Sequence, residues 1–87
     1  MRLQITHVRP DGNDLDRRID AVLAGGVAWT VDQVIHAIEY RTASFFVMVH
    51  FQSVDVVVRV HSYTGRKYIA TRSDGYPPNN LLNLPRF

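Results

Sequence analysis

The chain has 87 residues, of which 46% are hydrophobic and 21% charged, and it carries a formal net charge of +2. This apolar fraction is that of an ordinary globular protein, so disorder along the whole chain is excluded and a single domain over residues 1–87 is expected. Because the chain contains no cysteine, disulfides, thiolate metal sites and thiol catalysis are excluded. No segment approaches the roughly 20 apolar residues of a membrane helix, and the N-terminus lacks the apolar block of a signal peptide. We therefore expect a cytoplasmic protein without a membrane partner.

The charges are unevenly distributed along the chain. Residues 1–40 hold four arginines against six acidic residues, whereas residues 41–87 hold six basic residues against two acidic ones. A basic half can indicate a polyanionic partner, and nine of the ten basic residues are arginine, which suits bidentate contacts to phosphate. Glutamate is as scarce as lysine, so a general compositional bias explains the same pattern more simply.

Two short strands are predicted at the start of the chain. Leu3, Ile5 and His7 alternate with polar residues, which is the periodicity of a strand. Pro10 and the following Asp-Gly-Asn-Asp at 11–14 predict a turn. A second strand follows, in which Ile19, Ala21 and Leu23 face one side, and Gly25-Gly26 ends it.

The strongest local signal is that of a helix from about Val31 to Tyr40. Thr30 and Gln33 have the spacing of a capping box, in which each side chain bonds the backbone N–H of the other. Trp29 and Val34 have the spacing of a hydrophobic staple around the same cap. The helix would present an apolar stripe at helical spacing, formed by Val31, Val34, Ile35 and Ile38.

A hairpin is predicted next, over residues 44–61. If Gln52-Ser53 form a two-residue loop, Phe51 lies opposite Val54 and one face of the hairpin is uniformly apolar. Phe45, Val47, Val49 and Phe51 would then pair with Val60, Val58, Val56 and Val54. The same register would place His50 opposite Asp55 and Ser44 opposite His61.

A last strand and a C-terminal tail complete the predicted fold. The strand covers Arg66 to Arg72, with Tyr68 and Ala70 facing inward after a turn that ends at Gly65. Residues 73–87 are predicted to be an irregular tail, packed on the core through its leucines at 81, 82 and 84. The resulting order is β-β-α-β-β-β, a two-layer α+β fold with one helix on a largely antiparallel sheet.

Four segments together resemble a known family. They are HVRPDGNDLDRRID (7–20), TVDQVIHAIE (30–39), GRKYIATRSDG (65–75) and PNNLLNLP (78–85). The chain resembles, over nearly its whole length, a family of small prokaryotic domains catalogued as domain of unknown function 3892. The sequence departs from that family where glycine tends to follow the helix, because Arg41-Thr42 stand there instead. The resemblance supports the fold outline and implies no activity, cofactor or binding residue.

The residue patterns offer little for catalysis or for metal binding. His50 and His61 would lie about 20 Å apart along the hairpin, too far to share a metal ion. The acidic turn at 11–16 lacks the ligand and glycine positions of a calcium loop. Ser44 and His61 form the one Ser–His pair that the register brings together, and no carboxylate is placed to orient the histidine. We therefore predict no catalytic residue, metal site or cofactor, and an enzyme is the third choice.

The outer face of the predicted sheet provides the leading functional hypothesis. An apolar strip would cover this face, formed by Phe46, Met48, Val57 and Ile69. Contiguous exposed apolar surface usually marks a contact site. We therefore expect a non-catalytic binding or assembly module that self-associates through a sheet face or edge, as a homodimer. The alternative is that the C-terminal tail covers the strip within one monomer.

The runner-up hypothesis is weak nucleic-acid binding through the late strands. Cations and a stacking ring lie close together in this part of the sequence: Arg59, Tyr63, Arg66, Lys67 and Arg72. The low net charge and the lack of an RNP1-type motif argue against it. No feature of the sequence identifies a small-molecule ligand.

Overall fold

The computed structural model describes residues 1–74 and 76–87, which form a mixed six-stranded sheet with a helix packed on it. The elements are β1 (Arg2–Pro10), β2 (Ile19–Ala24), β3 (Val27–Thr30), α1 (Val31–Glu39), β4 (Ser44–Val49), β5 (Gln52–Val60), β6 (Lys67–Thr71) and α2 (Asn79–Leu82). The sheet order is β3-β2-β1-β4-β5-β6, with β1 and β4 parallel and the other pairs antiparallel. The α+β class is confirmed. The predicted order β-β-α-β-β-β is corrected, because it omitted β3 and α2.

β3 exists because Gly25-Gly26 make a tight hairpin turn rather than a simple end to β2. Both glycines have positive φ, at +59° and +77°, as a type I′ turn requires. The turn sends the chain back along β2, so that Val27 lies opposite Ala24 and Thr30 lies opposite Ala21.

The capping box of α1 is confirmed. The Gln33 N–H donates to the Thr30 hydroxyl oxygen at 3.1 Å, and the Thr30 N–H donates to Gln33 Oε1 at 2.9 Å. Val31, Val34, Ile35 and Ala37 are buried, and Ile38 packs against the core as a partly buried side chain, so the predicted stripe faces the core with Ala37 added to it.

The C-terminal end of α1 is closed by a Schellman motif with arginine at the left-handed position. The Thr42 N–H donates to the Ala37 carbonyl at 3.0 Å, and the Arg41 N–H donates to the Ile38 carbonyl at 3.2 Å. Arg41 has a φ of +58°, a conformation that usually selects glycine. Hence the helix ends where the family tends to place glycine, although this chain has none there.

The predicted register of the β4–β5 hairpin is wrong. The turn is formed by His50-Phe51, both with positive φ (+50° and +65°), and not by Gln52-Ser53. Val47 therefore lies opposite Val54, and Phe46 opposite Asp55. The pairing is displaced by an even number of residues, so the two faces keep their identities. The expected pair His50–Asp55 does not exist, because His50 lies in the turn and Asp55 pairs with Phe46. The expected pair Ser44–His61 is lost through the same change of register.

The strict alternation predicted for β1 and β2 is also corrected. The pairing of β1 with β2 shifts between Ile5 and His7, and a bulge of this kind changes which side chains face the core. As a result Val8 is buried in place of His7. In β2, Val22 is buried and Leu23 only half-buried.

Both faces of β6 are covered. Ile69 lies opposite Val58, on the side where Lys67 forms an ion pair with Glu39 of α1. Tyr68 lies opposite Arg59, and Ala70 opposite Val57, on the other side. All of Tyr68–Thr71 are at most 4% exposed. Tyr68 and Ala70 are therefore buried on the face away from α1, while Ile69 occupies the core.

The C-terminal segment joins the core and also pairs with β1. Leu81 of α2 is fully buried, and Leu82 and Leu84 pack against the core as partly buried side chains. The Val8 N–H donates to the Pro85 carbonyl at 2.9 Å, and the Phe87 N–H donates to the Val8 carbonyl at 3.3 Å. The predicted irregular tail thus contains a short helix and a β-bridge beside β1.

Candidate functional site

The four residues of the predicted outer strip lie on two different faces of the sheet. Ile69 is fully buried in the core beside α1 and is unavailable to a partner. Phe46 and Val57 are half-buried on the opposite face, where the Arg2 guanidinium lies 3.9 Å from the centre of the Phe46 ring. Met48 is 44% exposed. The apolar strip is therefore interrupted, because Asp55 lies opposite Phe46 and Ser53 lies opposite Met48 on this face.

The predicted polyanion-binding residues are mostly engaged within the chain. Arg66 donates to both carboxylate oxygens of Asp14 at 3.0 Å. Lys67 lies 2.6 Å from Glu39, and Arg72 lies 4.0 Å from Asp55. The Arg59 guanidinium donates to the Arg72 carbonyl at 3.1 Å. Tyr63, in contrast, is 93% exposed.

These ion pairs join two loops that are distant in sequence. The loop between β1 and β2 (residues 11–18) meets the turn between β5 and β6 (residues 61–66) through Asp14 and Arg66. His61 Nε2 lies 3.9 Å from Asp16 Oδ1, and the Tyr76 hydroxyl donates to the Leu15 carbonyl. The contact therefore joins the loops at the ends of two separate hairpins.

The same contact perturbs one carboxyl group. Partial desolvation would raise the pKa of Asp14, but hydrogen bonds from the Arg17 N–H and from the Arg66 guanidinium outweigh it. The pKa of Asp14 therefore lies below its ordinary value. Among residues 1–74 and 76–87, no group of three or more His, Asp or Glu is placed to hold a metal ion.

The outer strand β3 has an edge that is exposed to solvent. Val27 is 58% exposed, Ala28 and Thr30 are exposed, and Trp29 is half-buried. In a two-residue hairpin the residues that flank the turn, here Ala24 and Val27, form a hydrogen-bonded pair. The next residue, Ala28, therefore points its N–H and C=O away from β2, toward the outside of the sheet. β3 thus presents a strand edge to a partner.

A groove of about 580 Å³ runs between β3 and α1. It is lined by Val27, Ala28, Trp29, Asp32, Gln33, His36, Ala37 and Thr42. The Trp29 ring packs edge-on against Phe45 with centroids 5.2 Å apart, and its Nε1 donates to the Ala24 carbonyl at 3.3 Å. These contacts fix the indole as a rigid apolar wall.

The polar residues along the groove are also held in place. The Arg17 guanidinium donates to Asp32 at 2.6 Å, and the His36 ring stacks on Tyr40 with centroids 4.3 Å apart. The site therefore combines a strand edge with an apolar, pre-formed groove, which is the arrangement that receives an added strand in many complexes.

Sequence reasoning missed this site, although one signal for it was present. Gly25-Gly26 followed by the apolar Val27, Ala28 and Trp29 is the pattern of a tight hairpin. Trp29 was assigned to the hydrophobic staple of the helix, so the strand that contains it was not predicted. A second exposed apolar feature is Phe51, 99% exposed at the tip of the β4–β5 turn.

These observations define a class of protein: an α+β domain with a mixed six-stranded sheet, one sealed edge and one open edge. A family model described as "Protein of unknown function (DUF3892)" matches residues 4–85. The chain therefore belongs to this family, as its sequence motifs indicated. No curated protein and no solved structure matches the chain. Among the residues that the structure describes, no helix is long and apolar enough to cross a membrane.

Proposed function

We propose that this protein is a non-catalytic assembly module, which self-associates through the edge of β3 and the groove beside it. The observation that carries the proposal is the contrast between the two outer strands. Three of the four residues of β3 are exposed, whereas Tyr68–Thr71 of β6 are at most 4% exposed. Natural proteins commonly cover or charge an outer strand to prevent pairing with other chains. β3 carries no charged residue.

The groove adds apolar area to the backbone pairing. A four-residue strand can supply only a few intermolecular hydrogen bonds, each contributing about 0.5–1.5 kcal/mol. Burial of apolar area contributes roughly 25 cal/mol per Å², so the walls formed by Val27 and Trp29 would supply the larger share. An edge with such a groove is a better docking surface than the interrupted outer face around Met48.

The charges of the late strands favour assembly over polyanion binding. Arg66, Lys67 and Arg72 each lie beside a carboxylate of the same chain. A polyanion would have to compete with these carboxylates, and the low net charge supplies little long-range attraction. The expected location remains the cytoplasm, in keeping with a chain that contains no cysteine.

The experiment is light scattering over a wide range of protein concentration. The wild-type mass should rise with concentration. Ala28→Pro removes the outward N–H and should give a folded monomer, with circular dichroism as the check of folding. Val27→Lys, which places a charge on the edge without a backbone change, is a second variant and should also be monomeric.

The matched control is Met48→Asp, on the exposed outer face. This variant should self-associate as the wild type does. A wild-type protein that is monomeric at every concentration would contradict the proposal. Loss of association in Met48→Asp, together with its retention in Ala28→Pro and Val27→Lys, would move the interface to the outer face.

A further inference from the structure

We infer that the occupant of the open edge is a second copy of the same chain, paired antiparallel through β3 about a two-fold axis at Ala28. The inference rests on the proposed self-association and adds its geometry. It follows from which backbone groups of β3 point outward and which of these are already used.

The hydrogen-bonding pattern of the β2–β3 hairpin selects the outward residues. Val27 and Trp29 direct their backbone groups toward Ala24 and Val22, whereas Ala28 and Thr30 direct theirs away from β2. The Thr30 N–H already donates to Gln33 Oε1 at 2.9 Å, as part of the helix cap. Ala28 is therefore the residue of β3 with both an outward N–H and an outward C=O for a new neighbour.

A two-fold axis beside Ala28 uses both groups at once. In this arrangement the Ala28 N–H of each copy donates to the Ala28 carbonyl of the other, as in any hydrogen-bonded antiparallel pair. An isologous interface of this kind is closed, so it ends at a dimer and leaves no second edge of the same type. The two sheets would become one continuous sheet of twelve strands, since each copy contributes six.

The side chains fit this register. Val27 of one copy would lie directly opposite Trp29 of the other, as a non-hydrogen-bonded pair with side chains in close contact. Both residues line the groove beside α1, so each copy would bring its 58% exposed Val27 against the indole wall of its partner. Ala28, on the other side of the sheet, is small enough not to obstruct the close approach of the two backbones.

The charged groups on the α1 side of the sheet permit two copies to pair through β3. The pairing brings the two α1 helices to the same side of the sheet, each with Asp32 and His36 along the groove. Asp32 is neutralised by the Arg17 guanidinium at 2.6 Å, so two uncompensated carboxylates do not meet there. The remaining titratable group on the groove, His36, is stacked on Tyr40.

The absence of cysteine makes a single-cysteine test possible. Paired Ala28 residues would have Cα atoms about 5.5 Å apart, within the range that a disulfide bridges. Ala28→Cys should therefore form a covalent dimer under mild oxidation. The matched control is Val27→Cys, one residue away at a position that is 58% exposed. In the inferred register its two copies are about 8 Å apart, beyond the reach of an unstrained disulfide.

The expected result is that Ala28→Cys cross-links at least about tenfold faster than Val27→Cys, and that reductant reverses it. Equal rates, or a faster Val27→Cys, would overturn the register. A wild-type mass that rises with concentration while Ala28→Cys does not cross-link would overturn the pairing and leave self-association intact. Growth of the wild type beyond a dimer would overturn the closed two-fold arrangement. A wild-type protein that stays monomeric would contradict the proposed function itself.

Discussion

The two outer strands of the sheet have similar compositions and opposite environments. Val27-Ala-Trp-Thr in β3 and Lys67-Tyr-Ile-Ala-Thr in β6 are both short and mainly apolar or β-branched. The difference comes from the chain that follows each strand. β3 continues directly into α1 at Thr30, so no segment remains to cover its edge. β6 is followed by a C-terminal segment whose leucines at 81, 82 and 84 pack on the core, and Asn80 donates to the Thr71 hydroxyl at 2.9 Å. Coverage of an edge thus depends on connectivity more than on composition.

The largest expected effect comes from placing the same charge on each outer strand. Ile69→Asp should unfold the protein, because an unpaired carboxylate in the core costs several kcal/mol out of a total stability of about 5–15 kcal/mol. Val27→Asp should stay folded and lose less than about 1 kcal/mol. Circular dichroism and urea unfolding measure both. A folded Ile69→Asp protein would show that β6 is not sealed.

The next effect tests the contribution of α2 to the covered edge. Leu81→Ala should destabilise the protein by about 2–5 kcal/mol, because Leu81 is fully buried with Ile69 in the core. The amide protons of Ile69 and Ala70 should exchange faster in this variant. Leu82→Ala, at a half-buried position of the same helical turn, is the control and should lose less. An equal loss of stability in Leu81→Ala and Leu82→Ala would contradict the packing of α2 described above.

A smaller effect of opposite sign, an increase in stability, is expected at the C-terminal end of α1. Arg41→Gly should stabilise the protein by about 1 kcal/mol, because glycine accepts the left-handed conformation at φ +58° without strain. Thermal unfolding would show a rise of roughly 4–8 °C. Arg41→Ala is the control: it removes the charge but keeps the strain, and should give no such gain. Self-association through β3 should be unchanged in Arg41→Gly.

The smallest effect concerns the ion pair between the β1–β2 loop and the β5–β6 turn. Because the pKa of Asp14 is lowered in the folded state, its contribution is complete above the ordinary carboxyl pKa of about 3.9. That contribution is lost as the pH falls through the lowered value. Asp14→Asn should therefore be less stable than the wild type at pH 7 and should show a shallower loss of stability in acid.

Melting temperature as a function of pH measures this difference. The control is Arg66→Gln, which keeps the backbone hydrogen bonds to Asp14 and should retain part of the acid dependence. Identical pH profiles for Asp14→Asn and the wild type would show that the ion pair forms equally in the unfolded chain.

Local signals in the sequence predicted the helix well and the hairpins poorly. The cap of α1 depends on two residues three positions apart, Thr30 and Gln33, so its pattern is visible in the sequence. The turn at His50-Phe51 has two left-handed residues that are neither glycine nor asparagine, so it gave no signal and the register was misplaced. The assignment of hairpin residues to the two faces of the sheet was still correct, because the register was displaced by an even number of residues. In β6 both faces are buried, so alternation carried no information about Ile69.

The candidate site was missed for a different reason. Whether a strand edge is open depends on every segment that packs beside it, and the sequence shows these segments only after the topology is known. β3 is only four residues long and its last residue is the N-cap of α1, so the strand shows no recognisable alternation of polar and apolar residues. The polar groups that matter there belong to the backbone of Ala28, whose side chain carries no chemical signal.

The bridge between Val8 and Arg86 has a consequence for how quickly the protein reaches its native state. It ties the first strand to residues 85–87, and Arg9 contacts the Phe87 carbonyl across a separation of 78 positions. Closing so long a loop costs conformational entropy before any contact compensates it, and proteins rich in such distant contacts fold slowly. During synthesis, β1 cannot form this bridge until residues 85–87 have been made. The early hairpin β2–β3 and helix α1 can form first, so an immature chain would already display the open edge.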